Sequence, residues 1–446
     1  MFDLSNETSV LIVIIALVLL MAAEVPVAFA LLAAGASGIL MIDGWNSATA
    51  ALGRMPFEIP ARYVLVVIPM FIAMGVFAKE GRIASDLFDM AYCALKRFRE
   101  GIPIATIATC AVFAAISGSS VATVAALGPT CVEEMRKRGF SDAFAAGVVG
   151  AAGTLGVLIP PSVILVVYGL ITTESIGQLM IAGILPGILT ALAYAVAVAV
   201  LVRIVPGGKQ PEGETSSNFS MSGGSTARKS YALFRVIVLF GVVIGGIYTG
   251  TATVTEASAL GAALAFVFFL GDLLRRPEGR TKALFKALNE SVGVTGMVFA
   301  LLIGASIFTY FLVLSRVPES FTEYVLSFDL PPILVVALLL LAFVPLGMFL
   351  DGLSMMLIAV PLAYPVVTEL GFSGIWFGIL VVKAVEIGLV TPPFGLNAFV
   401  VSGAVPGLRV ETAFKGLLLF VPVDLFVIAA LFIFPEIVLW LPSQMG

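Results

Sequence analysis

Gly156-Val157-Leu158-Ile159-Pro160-Pro161-Ser162 interrupts one apolar run, and 232 positions later Gly388-Leu389-Val390-Thr391-Pro392-Pro393 interrupts another. Proline brings no N–H to a helix and leaves upstream carbonyls without a donor, so two in succession break it. A break within hydrocarbon is tolerated only where protein encloses it or it lines a cavity. Two such breaks at a fixed offset predict a chain built from two related halves, each with a fractured helix in its middle.

The surrounding sequence is that of a membrane protein. Of 446 residues, 60% are hydrophobic and 12% charged, and the mean hydropathy is +1.12, far from the balance a soluble domain needs. Stretches long enough to cross a bilayer lie near 8–23, 26–42, 61–80, 143–170, 179–204, 231–250, 256–274, 286–313, 374–401 and 413–436. The first two are parted only by Glu24-Val25-Pro26, which leaves one bent element open there. The opening run does not read as a signal peptide, because it carries Asp3 and Glu7 in place of a basic cluster. Two further apolar stretches, 102–135 and 331–368, are interrupted by Ser117-Gly118-Ser119-Ser120 and by Leu350-Asp351-Gly352-Leu353-Ser354. Both read as re-entrant hairpins whose tips meet inside the protein.

The predicted fold class is an all-α polytopic membrane protein: an inverted repeat with about ten spans and two re-entrant hairpins. One half is 1–204, with hairpin 102–135 and broken helix 143–170. The other is 231–446, with hairpin 331–368 and broken helix 374–401. A Pro-, Gly- and Ser-rich segment, 205–230, links them. Glu24 and Glu256 keep the 232-residue offset, and Gly118 and Gly352 are 234 apart. Five spans per half is an odd number, so the second copy is inverted, the arrangement of secondary transporters with a site at the midplane. Charge sets the orientation. Lys96, Arg97 and Arg99 precede the first hairpin, and Arg136, Lys137 and Arg138 follow it, which puts its base on the cytoplasmic side. Residues 318–329 hold Glu319, Glu323 and Asp329 and no base, so the second hairpin enters from the opposite face and both termini are expected outside.

Composition also excludes chemistry. There is no histidine; Cys93, Cys110 and Cys131 are scattered and read as small core residues; no Walker A motif occurs. No enzyme cofactor is expected, and a net charge of −4 offers nucleic acid no basic field. What remains is oxygen. Carbonyls freed near Gly156, Ile159 and Pro161, with the Ser117 and Ser120 hydroxyls, form one candidate Na⁺ cage. Gly347, Gly352, Gly388, Thr391 and Phe394 form its counterpart. Ser119, Thr123 and Asn397 are candidate substrate contacts. Asp351, at the second tip, joins them as a group that compensates a cation or takes a proton. Lys383 and Glu386, three apart on one helix, read as a self-neutralising pair, and Glu24 and Glu256 as helix caps or scaffold anchors.

Taken together, Ser117-Gly118-Ser119-Ser120, Gly156 to Ser162, Gly245-Gly246-Ile247-Tyr248-Thr249-Gly250 leading to Thr255-Glu256-Ala257, Phe349-Leu350-Asp351 and Gly388 to Pro393 resemble the large membrane subunit of tripartite ATP-independent periplasmic (TRAP) transporters. The motifs run from about residue 20 to 407. Val254 departs from a family pattern that often has proline there. The resemblance implies a scaffold and a mobile transport domain working as an elevator. It implies sodium-driven uptake of an organic acid across the bacterial inner membrane, delivered by a periplasmic binding protein. It also implies a small four-helix membrane subunit, expected as a separate chain. The serines of the first tip with the Gly156–Pro161 break resemble one sodium site, and the Gly388–Phe394 break with the second hairpin's glycines the other. Amphipathic connectors near 83–100 and 316–329 are expected to join the two domains. A cation-coupled organic-anion transporter that needs no binding protein is the rival; a membrane-embedded enzyme is disfavoured because no histidine, acidic metal cluster or activated nucleophile appears, and a channel because of the inverted broken-helix pattern.

Overall fold

The computed structural model describes residues 6–81, 83–95, 98, 100–204, 226–276 and 279–445, and every regular element among them is a helix. Positions 205–225 of the expected linker, and Lys96, Arg97 and Arg99 of the first basic flank, lie outside the described residues.

The same order of elements occurs twice. The first half opens with Asn6–Ala22, Val27–Glu58 and a third span made of Tyr63–Val66 and Val67–Glu80. The connector Ile83–Leu95 leads into a hairpin, Gly101–Ser117 with Ser120–Lys137, and then the broken helix, Asp142–Leu158 with Val163–Thr172. Ile176–Ala182 and Ile184–Ile204 close this half. The second half opens with Thr226–Phe240, which continues through a π-helical turn at Gly241–Gly245 to Tyr248, then Val254–Leu274 and Arg280–Leu314. Connector Val317–Leu326, hairpin Pro332–Phe349 with Gly352–Glu369, broken helix Gly374–Val390 with Leu396–Ala404, and Val410–Leu417 with Val421–Ile433 follow.

The first two helices are separate and pack on each other; the turn between them places Glu24 at φ +62°, and Pro26 stands at the next helix's cap position. Glu24 is exposed there and caps nothing, contrary to expectation. Its counterpart Glu256 does cap: its Oε2 accepts the Thr253 N–H at 2.8 Å, while Thr253 Oγ1 accepts the Glu256 N–H at 3.3 Å. The second span outruns its predicted end at 42. Gly44 adopts φ +82°, which lets the chain kink and resume helix to Glu58.

Packing between the halves is reciprocal. Val27–Glu58 lies on Arg280–Leu314, and Val254–Leu274 lies on Val67–Glu80, so the second span of each half meets the third of the other. These four helices share one apolar cluster. They approach closely: a Cβ on Gly304 would stand 2.1 Å from the Ala28 carbonyl oxygen. Small residues permit such contact where lipid offers no hydrophobic drive. The hairpins exchange partners likewise, Ser120–Lys137 with Leu396–Ala404 and Gly352–Glu369 with Val163–Thr172.

Among the described residues, eight helices are long and apolar enough to span a bilayer, or up to ten if each bent pair counts once. Asp142–Leu158 and Val163–Thr172 form one such pair, bent by 41°. Pro332–Phe349 and Gly352–Glu369 are among the eight by length, and near the turn that joins them Gly347 packs on Gly388 beside the second fracture. Leu19, Val196, Val267, Val292 and Phe426 are each 60–71% exposed, an apolar exterior suited to lipid. Cys110 and Cys131 are buried, as small core residues would be, Cys93 is half-buried, and no disulfide joins any of the three.

Candidate functional site

Sequence determines which carbonyls the fractures release. In a helix the N–H of residue i+4 serves the carbonyl of residue i. Pro160 and Pro161 therefore leave Gly156 and Val157 without that donor, and Pro392 and Pro393 do the same to Gly388 and Leu389. Ser162 Oγ occupies the Val157 oxygen, and the Thr391 N–H reaches Gly388 at 3.2 Å. Ile159 and Thr391 leave the helix in extended conformation, and both Pro-Pro bonds are cis.

The first tip rests on the first fracture. Gly101–Ser117 stops because Gly118 takes the left-handed conformation, φ +59°, and Ser119 then caps the second arm, accepting the Ala122 N–H at 3.3 Å. A side chain cannot fit at the contact: a Cβ on Gly118 would lie 2.5 Å from the Pro161 oxygen, and one on Gly156 would lie 2.6 Å from the Ser119 oxygen. Ser117 Oγ and Thr123 Oγ1 bond each other at 2.8 Å, and Thr123 Oγ1 also donates to the Ser119 carbonyl. Ser120 Oγ donates to Asn397 Oδ1 at 2.8 Å, and Asn397 Nδ2 donates to the Gly150 carbonyl at 2.8 Å. One side chain of the second broken helix thus ties the first tip to the first broken helix.

The second tip meets the second fracture through glycines. A Cβ on Gly388 would lie 2.5 Å from the Gly347 backbone, and one on Gly352 would strike Val385 and Ile164. Asp351 caps Gly352–Glu369, its Oδ1 accepting the N–H groups of Leu353 and Ser354 at 3.0 and 3.1 Å, while Ser354 Oγ donates to Oδ2. Thr391 Oγ1 donates to the Ile387 carbonyl at 2.5 Å. Phe394 is 58% exposed, with its ring 5.9 Å from that of Phe349. The two regions differ in access: Ser117, Ser120, Pro160 and Pro161 are buried, whereas Asp351, Pro393 and Phe394 are exposed.

The candidate residues therefore assemble around two tip–fracture contacts. Gly156 packs on the Ser119–Ser120 backbone and Gly118 on Pro161, while Ile159 packs on Gly187; Gly347 meets Gly388, and Gly352 meets Val385 and Ile164. Thr123 and Asn397, expected at the substrate, are wholly buried with their polar atoms bonded to protein. Ser119 is half-buried at the tip. Asp351 spends both oxygens on its own helix. No group of three or more His, Cys, Asp or Glu forms a metal-ligand set among the described residues. A groove of about 220 Å³ bounded by Leu340, Ile387, Leu425 and Phe432 is apolar and offers a carboxylate no partner.

One participant escaped the sequence reading. Lys383 and Glu386 do pair, at 2.6 Å, but Asp424 joins them, 2.5 Å from Lys383 Nζ, and all three are fully buried. An acid inside the apolar run Val421–Ile433 was the signal.

Comparison with known proteins agrees with this architecture. The family model described as "Tripartite ATP-independent periplasmic transporter, DctM component" matches residues 14–437. The C4-dicarboxylate TRAP transporter large permease protein DctM of Pseudomonas aeruginosa is 34% identical over 92% of this chain and 94% of its own length. The sialic acid TRAP transporter large permease protein SiaM of Vibrio cholerae is 28% identical, over 85% and 86% respectively. The ectoine/5-hydroxyectoine TRAP transporter large permease protein UehC of Ruegeria pomeroyi is 29% identical, over 96% and 97%. In fold, the YdaH transporter of Alcanivorax borkumensis matches with a TM-score of 0.60 over 90% of both chains at 14% identity. The chain belongs to the DctM component family of tripartite ATP-independent periplasmic transporters.

Proposed function

We propose that this protein imports a small organic acid across the bacterial inner membrane, driven by Na⁺. The substrate is handed over by a periplasmic binding protein, and a separate small four-helix membrane subunit completes the complex. Both termini face the periplasm. The observation that carries this reading is the paired contact of hairpin tip and proline fracture: Gly156 packs on the Ser119 backbone and Gly388 on the Gly347 backbone, which brings main-chain oxygens close together at both. Neutral oxygens of this kind suit a hard monovalent cation, and the helix N-termini beside them favour an anion. The named relatives carry C4-dicarboxylates, sialic acid and ectoine compounds; a carboxylate is common to these solutes and fits that polarity.

Transport proceeds as an elevator. The four interlocked spans around Gly304 serve as the frame, and hairpins and broken helices move against them as one body. Support comes from their separate apolar clusters, which are largely distinct from that of the frame. Connectors Ile83–Leu95 and Val317–Leu326 lie along the interfaces and permit the slide.

The test is uptake into proteoliposomes holding this chain and its small subunit. Uptake is expected only with an inward Na⁺ gradient and the soluble binding protein outside. Accumulation driven equally by K⁺ would refute the coupling ion, and full uptake without the binding protein would favour the rival binding-protein-independent transporter. Ser120→Ala and Thr391→Ala are expected to raise the Na⁺ concentration needed for half-maximal uptake several-fold. Unchanged activation curves in well-folded variants would remove both residues from the ion sites.

A further inference from the structure

A hydroxyl that ligates a cation offers a lone pair, so its proton has to go elsewhere. Two serines of the first tip meet that condition, each by a different route. Thr123 Oγ1 donates to the Ser119 carbonyl at 2.8 Å, so the 2.8 Å bond between Ser117 Oγ and Thr123 Oγ1 takes its proton from Ser117. Ser117 is thus set from within its own hairpin. Ser120 is set from outside it. Its Oγ donates to Asn397 Oδ1 at 2.8 Å, and Asn397 lies in the first turn of Leu396–Ala404, in the second half.

Asn397 has no freedom in this arrangement. Its side chain is fully buried, and Nδ2 donates to the Gly150 carbonyl at 2.8 Å. A flipped amide would press Oδ1 against that carbonyl, acceptor on acceptor, so Oδ1 stays turned to Ser120. Ser120 itself is 3% exposed, and its Oγ accepts no hydrogen bond from any described residue. Its lone pairs are unspent inside the protein, next to the first fracture, where a Cβ on Gly156 would come 3.0 Å from the Ser120 nitrogen. A buried oxygen with acceptor capacity to spare requires a partner of positive character.

The repeat shows that this device belongs to one tip alone. Position 397 has Leu165 as its counterpart 232 residues upstream, and the adjacent Ile164 is what a Cβ on Gly352 would strike at 2.8 Å. Each half lays the first turn of its post-fracture helix on the other half's tip. That contact is apolar at the second tip and polar at the first.

We propose that Asn397 is a positioning residue of the first ion site: by accepting the Ser120 proton across the seam, it leaves that hydroxyl's lone pairs for the cation. The inference rests on the Na⁺-coupled reading above, and adds that the first site is completed by the second half. Asn397 acts through Ser120, as outer-shell partners orient the ligands of a metal.

The test reads Na⁺ binding as the rise in melting temperature of the purified full chain when NaCl replaces choline chloride at constant ionic strength. Asn397→Ala and Ser120→Ala are each expected to raise the half-saturating Na⁺ concentration several-fold, and the double variant no further than Ser120→Ala alone. Asn397→Asp keeps the shape and an acceptor for Ser120, and should bind Na⁺ at least as tightly as the wild type. If Asn397→Ala melts lower at every Na⁺ concentration but keeps the wild-type half-saturation, Asn397 is a structural brace and the proposal is overturned. Independent, multiplying effects in the double variant overturn it too. If Asn397→Ala does not fold, Asn397→Asp decides, and a weakening as large as that of Ser120→Ala sinks the assignment. A wild type without any Na⁺-specific rise would refute the coupling ion and this assignment with it, an outcome told apart from the others because it needs no variant.

Discussion

At the scale of single residues, the side chains around the tips mostly hold the protein to itself. Asn397 is the clearest case, since it accepts from Ser120 and donates to Gly150 across the seam. Asn397→Ala strands a buried hydroxyl and a buried carbonyl, and is expected to cost about 1–3 kcal/mol for each group left unpaired; a melting temperature unchanged from wild type would contradict it. Asp351 permits a sharper separation. If capping is its task, Asp351→Asn keeps the stability while Asp351→Ala loses about 1 kcal/mol. An altered Na⁺ activation curve in a fully stable Asp351→Asn would give the carboxylate a role beyond the cap. The fractures were legible because a proline's missing donor is a local matter, decided by the residue four positions upstream. The Ser120–Asn397 bond joins residues 277 apart, and nothing in either local sequence announces the other. Asp424 was legible in principle, as an acid amid apolar residues, but its partner on another helix was not.

Among the elements, both hairpins turn in very little chain, and that economy makes them intolerant. Gly118 needs a left-handed backbone and sits against Pro161. Gly118→Val is therefore expected to lose at least the 1–2 kcal/mol of the conformation itself, with the clash added. Gly271, where an added Cβ would meet nothing within 4 Å, is the control, and Gly271→Ala should melt like the wild type. Equal melting of both variants would show that the tip has room to adjust. Hairpin ends were readable from clusters of small polar residues in apolar surroundings. The length of Val27–Glu58 was not, because Gly44 bends the chain without ending the helix. A glycine marks either outcome equally well, and only the packing against Arg280–Leu314 decides between them.

For the whole molecule, reciprocal packing of equivalent elements is the organising fact, and it belongs to a permease component and not to an enzyme. The repeat itself was legible from offsets of 232 and 234 residues, while the exchange of partners between halves is a tertiary property that offsets do not contain. The first tip touches the frame where a Cβ on Gly75 would approach the Ser117 carbonyl to 2.9 Å. A cysteine at Gly75 is expected to cross-link to the tip in one state and to positions further along Gly101–Ser117 in the other. Cross-linking to a single register under all gradients would replace the elevator with a local gate.

The carbonyls of Gly156 and Gly388, which lose their i+4 donors at the breaks, bear on how such a protein can be dissected. Oxygens of the peptide link survive every exchange of side chain, so an alanine scan through either break would report folding defects and leave these acceptors in place. Replacing the link itself with an ester, a poorer acceptor of the same shape, is the substitution that would make them speak.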